Sequence, residues 1–213
     1  PLYSSAASDV YKRQAHTQLP TVQSVLSRWW RLRVANTYKE AAWRLTLDAF
    51  PTAQRMHSST PCAACGALSP GVTHHFWSCP VAAAVRHEVE SQLIAFGFLP
   101  AGANLPCSAI WLACKPHVGM HRLVWDMVCI AVIHAFERGR RAAWAVSDQL
   151  SVPVLVEQVA MRSAVAAFWE ALADFAATTK VPSCMRTAAL THQPFLSWHV
   201  VLVRGSGLRV VRR

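Results

Sequence analysis

The spacing of apolar residues in the first half of the chain predicts short α-helices. Thr21 to Val34 repeats its apolar side chains with the period of an amphipathic helix. Thr37-x-x-Glu40 matches a capping box, in which the two side chains satisfy backbone N–H groups at a helix start. The second helix that it opens should reach about Phe50, because Pro51 cannot continue it.

Helical patterns continue through the second half of the chain. Pro80 suits the first turn of a helix that runs to about Phe96, where Gly97 is a typical stop. The charged run Glu137 to Arg141 interrupts a longer apolar pattern and predicts a bend there. The other helical patterns lie at residues 110–115, about 121–146 and 153–178.

The C-terminal residues have a different pattern. Ser197 to Val203 and Leu208 to Val211 are rich in β-branched residues and flank Gly205-Ser206-Gly207, an arrangement that resembles a small β-hairpin. An isolated hairpin is only marginally stable in water, so this one must pack on the helices or stay loose.

Three cysteines and one histidine have the spacing of a metal site. Cys62, Cys65, His74 and Cys79 follow the pattern C-x2-C-x8-H-x4-C. Soft thiolates with one imidazole are the ligand set of a structural Zn2+ ion in tetrahedral geometry. A two-residue gap lets one tight turn present the first two cysteines to a single ion, and Gly66 suits the sharp reversal of that turn.

The fourth ligand has two candidates, because His74 and His75 are adjacent. His74 gives a four-residue gap to Cys79, and His75 gives a three-residue gap. We favour His74, since it leaves Phe76 in the middle of the closing turn to pack inward. A metal-bound histidine normally donates its other ring N–H to an acceptor, which the sequence does not identify.

The residues around this pattern resemble a known family, the reverse-transcriptase zinc-binding domain of non-LTR retroelement proteins. The resemblance covers about residues 22–95. It rests on Lys39-Glu40, Trp43-Arg44-Leu45, Pro51-Thr52, Arg55-Met56 and the run from His74 through Phe76-Trp77-Ser78-Cys79 to Pro80. The family often has Glu-Thr ahead of the histidine, where this chain has Gly71-Val72-Thr73.

The resemblance implies a zinc-stabilised module that helps a retroelement protein to hold nucleic acid. In that family the module lies downstream of the polymerase, so the resemblance also implies an upstream reverse transcriptase domain in the full-length protein. A chain that starts with Pro1 and not Met fits the expectation of a fragment of a longer reading frame.

Together these patterns predict a mostly α fold: a helical domain with a small CCHC zinc knuckle between helices and an optional C-terminal β-hairpin. Asp9 to Gln14 resembles one reading frame of a transposase end sequence used to build sequencing libraries. The predicted parts are residues 1–14 as an assembly scar or disordered segment, 15–99 as the zinc-knuckle module, 100–193 as a helical region and 194–213 as a basic tail.

Charge adds a candidate partner. The chain carries a formal net charge of +10, and arginine outnumbers lysine. A basic stripe beside a zinc knuckle favours nucleic acid, RNA or DNA. Phosphate contacts are expected from Arg28, Arg31, Arg33 and Arg44, and Trp77 is a candidate for stacking on a base. The competing hypothesis is a protein–protein module or decayed relic that binds no nucleic acid.

Catalysis has little support in the sequence. There is no Gly-rich phosphate loop, no Gly-x-Ser-x-Gly elbow and no close aspartate pair of the kind a two-metal polymerase or nuclease needs. Zinc held by four protein ligands has no open position for water, so the predicted site is structural. We therefore expect a module that is non-catalytic by itself.

The sequence also bears on the compartment. The longest apolar run, Leu123 to Phe136, is interrupted by Asp126 and His134 and is too short to cross a bilayer, so no membrane partner is expected. Seven cysteines without an export signal favour a reducing compartment, the nucleus or the cytoplasm.

Overall fold

The computed structural model describes residues 21–95, 97–118, 120–147, 153–178, 198–203 and 207–212, and it is mostly helical. The predicted N-terminal scar lies outside these residues. The elements are α1 Val22–Arg31, α2 Asn36–Thr46, a π-helical turn His74–Ser78, α3 Pro80–Ala95, α4 Cys107–Trp111, α5 Arg122–Ser147, α6 Pro153–Thr178, β1 Trp198–Val203 and β2 Gly207–Arg212.

The two strands lie where the C-terminal hairpin was expected. β1 and β2 pair antiparallel, with Trp198 opposite Arg212 and Val203 opposite Gly207. The connection at residues 204–206 lies outside the described residues, so the hairpin as a whole stays a prediction.

Helix α5 is the centre of the fold. Every residue from Val124 to Ile133 is buried, so this part of the helix has no solvent-facing side. A helix that is apolar nearly all round has to be surrounded by other elements. Trp125 contributes one of these contacts, because its Nε1 donates to the carbonyl of Ala109 in α4 at 3.1 Å.

The charged run Glu137 to Arg141 does not interrupt α5. The helix runs unbroken through these residues. Gly139 leaves space that a side chain would fill: a Cβ atom at this position would lie 2.5 Å from Val81 Cγ1 in α3 and 2.7 Å from Ala164 Cβ in α6. The glycine therefore marks a point where three helices lie in close contact.

Helix α6 matches its predicted bounds. Phe168, Leu172 and Phe175 are buried, whereas Val159 and Val165 are only half-buried. Four alanines are buried as well: Ala160, Ala164, Ala167 and Ala171. Ala160 and Ala164 lie against Gly139, where larger side chains would prevent the close approach.

The predicted capping box is wrong. α2 starts at Asn36, two residues earlier than an N-cap at Thr37 requires, and no side chain caps its N terminus. The carboxylate of Glu40 pairs with Arg44 one turn later in the helix. Lys39 has an unpredicted role, because its ammonium group donates to the carbonyls of Trp30 and Leu32 and so caps the end of α1.

Among the described residues, no helix is both long enough and apolar enough to span a membrane.

An ion pair joins α1 to the central helix. The Arg28 guanidinium donates two hydrogen bonds to Asp126, at 3.0 and 3.1 Å. The Asp126 side chain is 3% exposed and that of Arg28 is 29% exposed. A buried carboxylate that loses its partner keeps its desolvation cost, so the two members of this pair are not equivalent.

We expect Arg28→Ala to lower the free energy of unfolding by about 2–4 kcal/mol, because it leaves Asp126 buried and unpaired. Asp126→Ala should cost less, since Arg28 can reach water. Denaturant unfolding monitored by circular dichroism measures both. The double variant Arg28→Met, Asp126→Leu is the control, because it removes both charges and should recover most of the loss. Equal effects of the two alanine variants would contradict this asymmetry.

Burial also governs a histidine on α5. The pKa of His134 is lowered to about 4, mainly by burial and then by the charges of Arg138 and Arg141, with Glu137 opposing them. The ring packs edge-on against Tyr38, with centroids 4.8 Å apart. The folded protein therefore holds this histidine neutral at a pH where the unfolded chain would protonate it.

Stability should therefore fall as pH drops from about 6.5 to about 4, because only the unfolded chain gains a proton on His134 in that window. His134 is partly exposed, so we expect a loss of about 1–2 kcal/mol after allowance for solvent screening. His134→Phe keeps an edge contact with Tyr38 and cannot titrate. The difference in unfolding free energy between parent and variant, measured across this range, isolates the effect from other acid-sensitive groups. A pH-independent difference would contradict it.

Candidate metal centre

The first two candidate ligands lie on a tight turn that the sequence indicated correctly. Gly66 has a φ of 74°, a conformation that strains other residues. Its N–H donates to the carbonyl of Cys62 at 2.8 Å, and the N–H of Cys62 donates to the carbonyl of Ala67 at 2.8 Å. The turn presents Cys62 and Cys65 on the same side of the loop.

The π-helical turn explains which histidine joins them. In an α-helix two residues five positions apart are separated by about 140° around the axis, so His74 and Cys79 would face different ways. The turn His74–Ser78 is widened instead, and the N–H of Cys79 donates to the carbonyl of His74 at 2.7 Å. This i to i+5 hydrogen bond brings the two ligands onto one side.

Four side chains converge as a result. The ligand atoms of Cys62, Cys65, His74 and Cys79 all lie within 4.8 Å of one another. Within the part of the chain that the structure describes, no other group of three or more such residues comes together. His75 is buried beside the site but is not a member of the group.

Two of the ligand separations are close to those of a tetrahedral ion. Zinc bonds of about 2.3 Å to sulfur and about 2.0–2.1 Å to nitrogen place neighbouring sulfurs about 3.8 Å apart and sulfur and nitrogen about 3.6 Å apart. Cys62 Sγ and Cys79 Sγ are 4.0 Å apart. Cys65 Sγ and His74 Nε2 are 3.4 Å apart. Because all four ligand atoms lie within 4.8 Å of one another, the four residues could hold a metal ion.

Backbone N–H groups support the sulfurs. Ala64 donates to Cys62, Ala67 to Cys65 and Val81 to Cys79, and each contact favours the thiolate and lowers the pKa of its cysteine. Each donor lies two residues after its cysteine. Such partners orient the ligands and spread their negative charge.

Burial and contacts among the three cysteines shift the pKa values of their thiols. The pKa of Cys62 is lowered, first by its hydrogen bond with Cys79, and the pKa of Cys79 is raised by the same contact and by burial. Burial also raises the pKa of Cys65. A bound metal ion requires deprotonated sulfurs, so metal binding must release protons and weaken as pH falls.

Aromatic packing fixes the centre to the rest of the fold. Phe76, in the middle of the π-helical turn, is fully buried, as predicted for the residue between the two closing ligands. Its ring lies 4.4 Å from that of Phe50 and 6.3 Å from that of Phe136 in α5, measured between centroids. Disorder in the metal loop would therefore disturb the central helix.

The residues proposed for nucleic acid are not equally available. Arg28 is held by two hydrogen bonds to Asp126, so it is less available to a phosphate than an unpaired arginine. Arg44 pairs with Glu40 at a partly exposed position. Arg31 and Arg33 are exposed and make no ion pair with any described residue.

Trp77 is half-buried and already has a cationic partner. The guanidinium carbon of Arg86 lies 4.2 Å from the centre of its ring. A base could stack on Trp77 only if that contact gave way or if the opposite face were open, so the predicted stacking role is weakened.

Comparisons with models of protein families, with curated proteins and with solved structures found no match to this chain.

We expect the purified chain to carry about one zinc ion, as a closed set of four ligands predicts. Cys65→Ser and His74→Ala should lose the metal and much of the helical signal, because metal binding and folding of this loop are coupled. Plasma emission spectrometry and circular dichroism measure the two effects.

Two controls separate the ligands from their neighbours. Cys114→Ser makes the same chemical change at a cysteine outside the group, and His75→Asn alters the adjacent ring; both should keep about one zinc. Zinc retained by His74→Ala and lost by His75→Asn would show that the assignment of the histidine is reversed.

Proposed function

We propose that this chain is a zinc-stabilised nucleic-acid-binding module of a reverse-transcriptase-type retroelement protein, non-catalytic by itself. The proposal joins the family resemblance of residues 22–95 with the donor set of the metal centre and with the excess of basic residues. In the full-length protein the module would assist an upstream reverse transcriptase domain.

Zinc is the metal that fits the donor set best. Three thiolates and an imidazole within 4.8 Å of one another suit this ion more than the hard cations, which prefer oxygen ligands. Four protein ligands leave no position for a reacting water, which supports a structural role.

The observation that carries nucleic-acid binding is the exposure of Arg31 and Arg33 at the end of α1. Neither forms an ion pair with a described residue, although several other arginines do. Unpaired guanidinium groups on a chain of net charge +10 favour phosphate.

The C-terminal hairpin belongs to the same proposal. The arginines of the basic tail would supply further phosphate contacts. The alternative, a protein–protein module, predicts docking through exposed apolar side chains such as Leu68 and Val118. Salt dependence distinguishes the two, because apolar docking does not release counterions.

We expect the chain to bind a fluorescein-labelled single-stranded oligonucleotide with an affinity that falls steeply between about 50 and 200 mM salt. Arg33→Ala should weaken binding and reduce the slope of log K against log salt concentration by about 0.7, the value for one lost contact with a single strand. Fluorescence anisotropy at several salt concentrations measures both quantities.

The matched control is Arg162→Ala, which removes an exposed arginine from α6, far along the chain from α1. It should leave the slope unchanged. No binding, or binding that does not respond to salt, would reject the proposed function.

A further inference from the structure

A wide groove runs beside the metal centre. It encloses about 690 Å³ between the loop that follows α2 and the last turns of α5. We call it the knuckle groove; its walls include Pro51, Met56, Pro61, Arg140, Arg141 and Trp144. His75 also lines it, so the groove adjoins the metal-binding turn directly.

The groove has an aromatic and apolar surface open to solvent. The side chain of Trp144 is 54% exposed and that of Met56 is 65% exposed. Large apolar side chains seldom stay in water on both walls of one concave site unless something covers them. A flat indole at such a position can stack on another planar ring.

The charge of the groove is one-sided. None of its lining residues carries a carboxylate, whereas Arg140 and Arg141 both line it. The two arginines share one acidic partner, Glu137, which is buried behind them. Arg140, Arg141 and Glu137 together carry a net charge of +1, and the side chain of Arg141 is 58% exposed. A ligand that brings an anionic group and a planar apolar group satisfies both features.

Single-stranded nucleic acid has this chemistry. Its phosphates suit guanidinium groups, and its unpaired bases stack on aromatic side chains. A volume of about 690 Å³ lies within the usual range for ligand sites, about 300–1,000 Å³. A duplex fits less well, because its bases are already stacked on one another and cannot reach Trp144.

We propose that the knuckle groove binds a segment of single-stranded nucleic acid, with one base stacked on Trp144 and a neighbouring phosphate held by Arg141. This proposal rests on the proposed function and assigns the binding to Trp144 and Arg141. Trp144 is the stacking residue, and Arg140 is held in place by its two hydrogen bonds to Glu137.

The groove also depends on the metal loop for its shape. The N–H of Gln54 donates to the carbonyl of Pro70 at 3.3 Å, and the Ser69 hydroxyl donates to the carbonyl of Ser58 at 3.2 Å. These bonds tie the wall of the groove to the segment between Cys65 and His74. Loss of the metal should therefore open the site as well as loosen the fold.

The test uses the full chain and a fluorescein-labelled oligothymidylate of twelve nucleotides. Trp144→Ala should weaken binding by about 5-fold to 100-fold, the loss expected when one base loses a stacking partner. Its salt slope should stay unchanged, because no charge is removed. Arg141→Ala should weaken binding and reduce the slope by about 0.7. Trp144→Phe keeps an aromatic face and should recover most of the affinity.

Trp43→Ala is the matched control, because Trp43 is an exposed tryptophan on α2 that does not line the groove. It should bind as the parent does. Circular dichroism of each variant checks the fold, and Arg141→Ala tests the site independently if Trp144→Ala unfolds. Full affinity in folded Trp144→Ala and Arg141→Ala, with weakened binding in Arg33→Ala, would overturn the groove and leave the proposed function intact.

Competition identifies the occupant. Unlabelled single strand should displace the probe far better than the same sequence in a duplex or a twelve-residue polyglutamate peptide. Equal displacement by the duplex or by the peptide would overturn the assignment to single-stranded nucleic acid. A parent chain that binds none of the nucleic acids would remove the proposed function and the groove together.

Discussion

The burial of α5 is the constraint on which the rest of this structure depends. A helix without a solvent face can exist in water only if other elements cover every side of it. Each neighbouring helix makes a specific contact with α5. α1 forms an ion pair with it, the ring of Tyr38 in α2 packs edge-on against His134, and α4 accepts a hydrogen bond from the indole of Trp125. α3 and α6 pack closely against Gly139, which has no side chain. The metal loop is held by the same helix through Phe136, so the candidate site is attached to the core and not to the surface alone.

Charge is used in two ways in this chain. Arg28 and Arg140 form ion pairs with buried carboxylates, and the pair of Arg28 fixes the position of α1 on α5. Arg31 and Arg33 are exposed and make no ion pair with a described residue, so a phosphate could approach them. Arg141 is intermediate, because it shares Glu137 with Arg140 while its side chain stays 58% exposed at the edge of the groove. Composition alone does not separate the two groups, because it counts every arginine equally. Only the location of the acidic residues shows which of them is available to a partner.

The sequence predicted the parts of the fold that depend on local chemistry. The ligand spacing, the left-handed glycine after Cys65 and the proline that starts α3 were all recognisable, because each reflects a constraint within a few residues. Features that distant residues decide were not predicted. The role of Gly139 depends on α3 and α6. The ion pair of Arg28 was missed, since nothing local indicates that Asp126 lies opposite. The backbone donors to the sulfurs could have been inferred, because each lies two residues after its cysteine.

The π-helical turn has a consequence for how this sequence can vary in length. Such a turn is a regular helical turn with one extra residue, and here that residue places His74 and Cys79 on the same side. A chain with one residue fewer between them would form an ordinary α-helical turn, in which positions four apart already face one way. Spacings of three and four residues are therefore two solutions to the same geometric problem. Related sequences that differ by this single insertion could present the same ligands from different helical conformations, so a search that requires a fixed gap would overlook those with the other spacing.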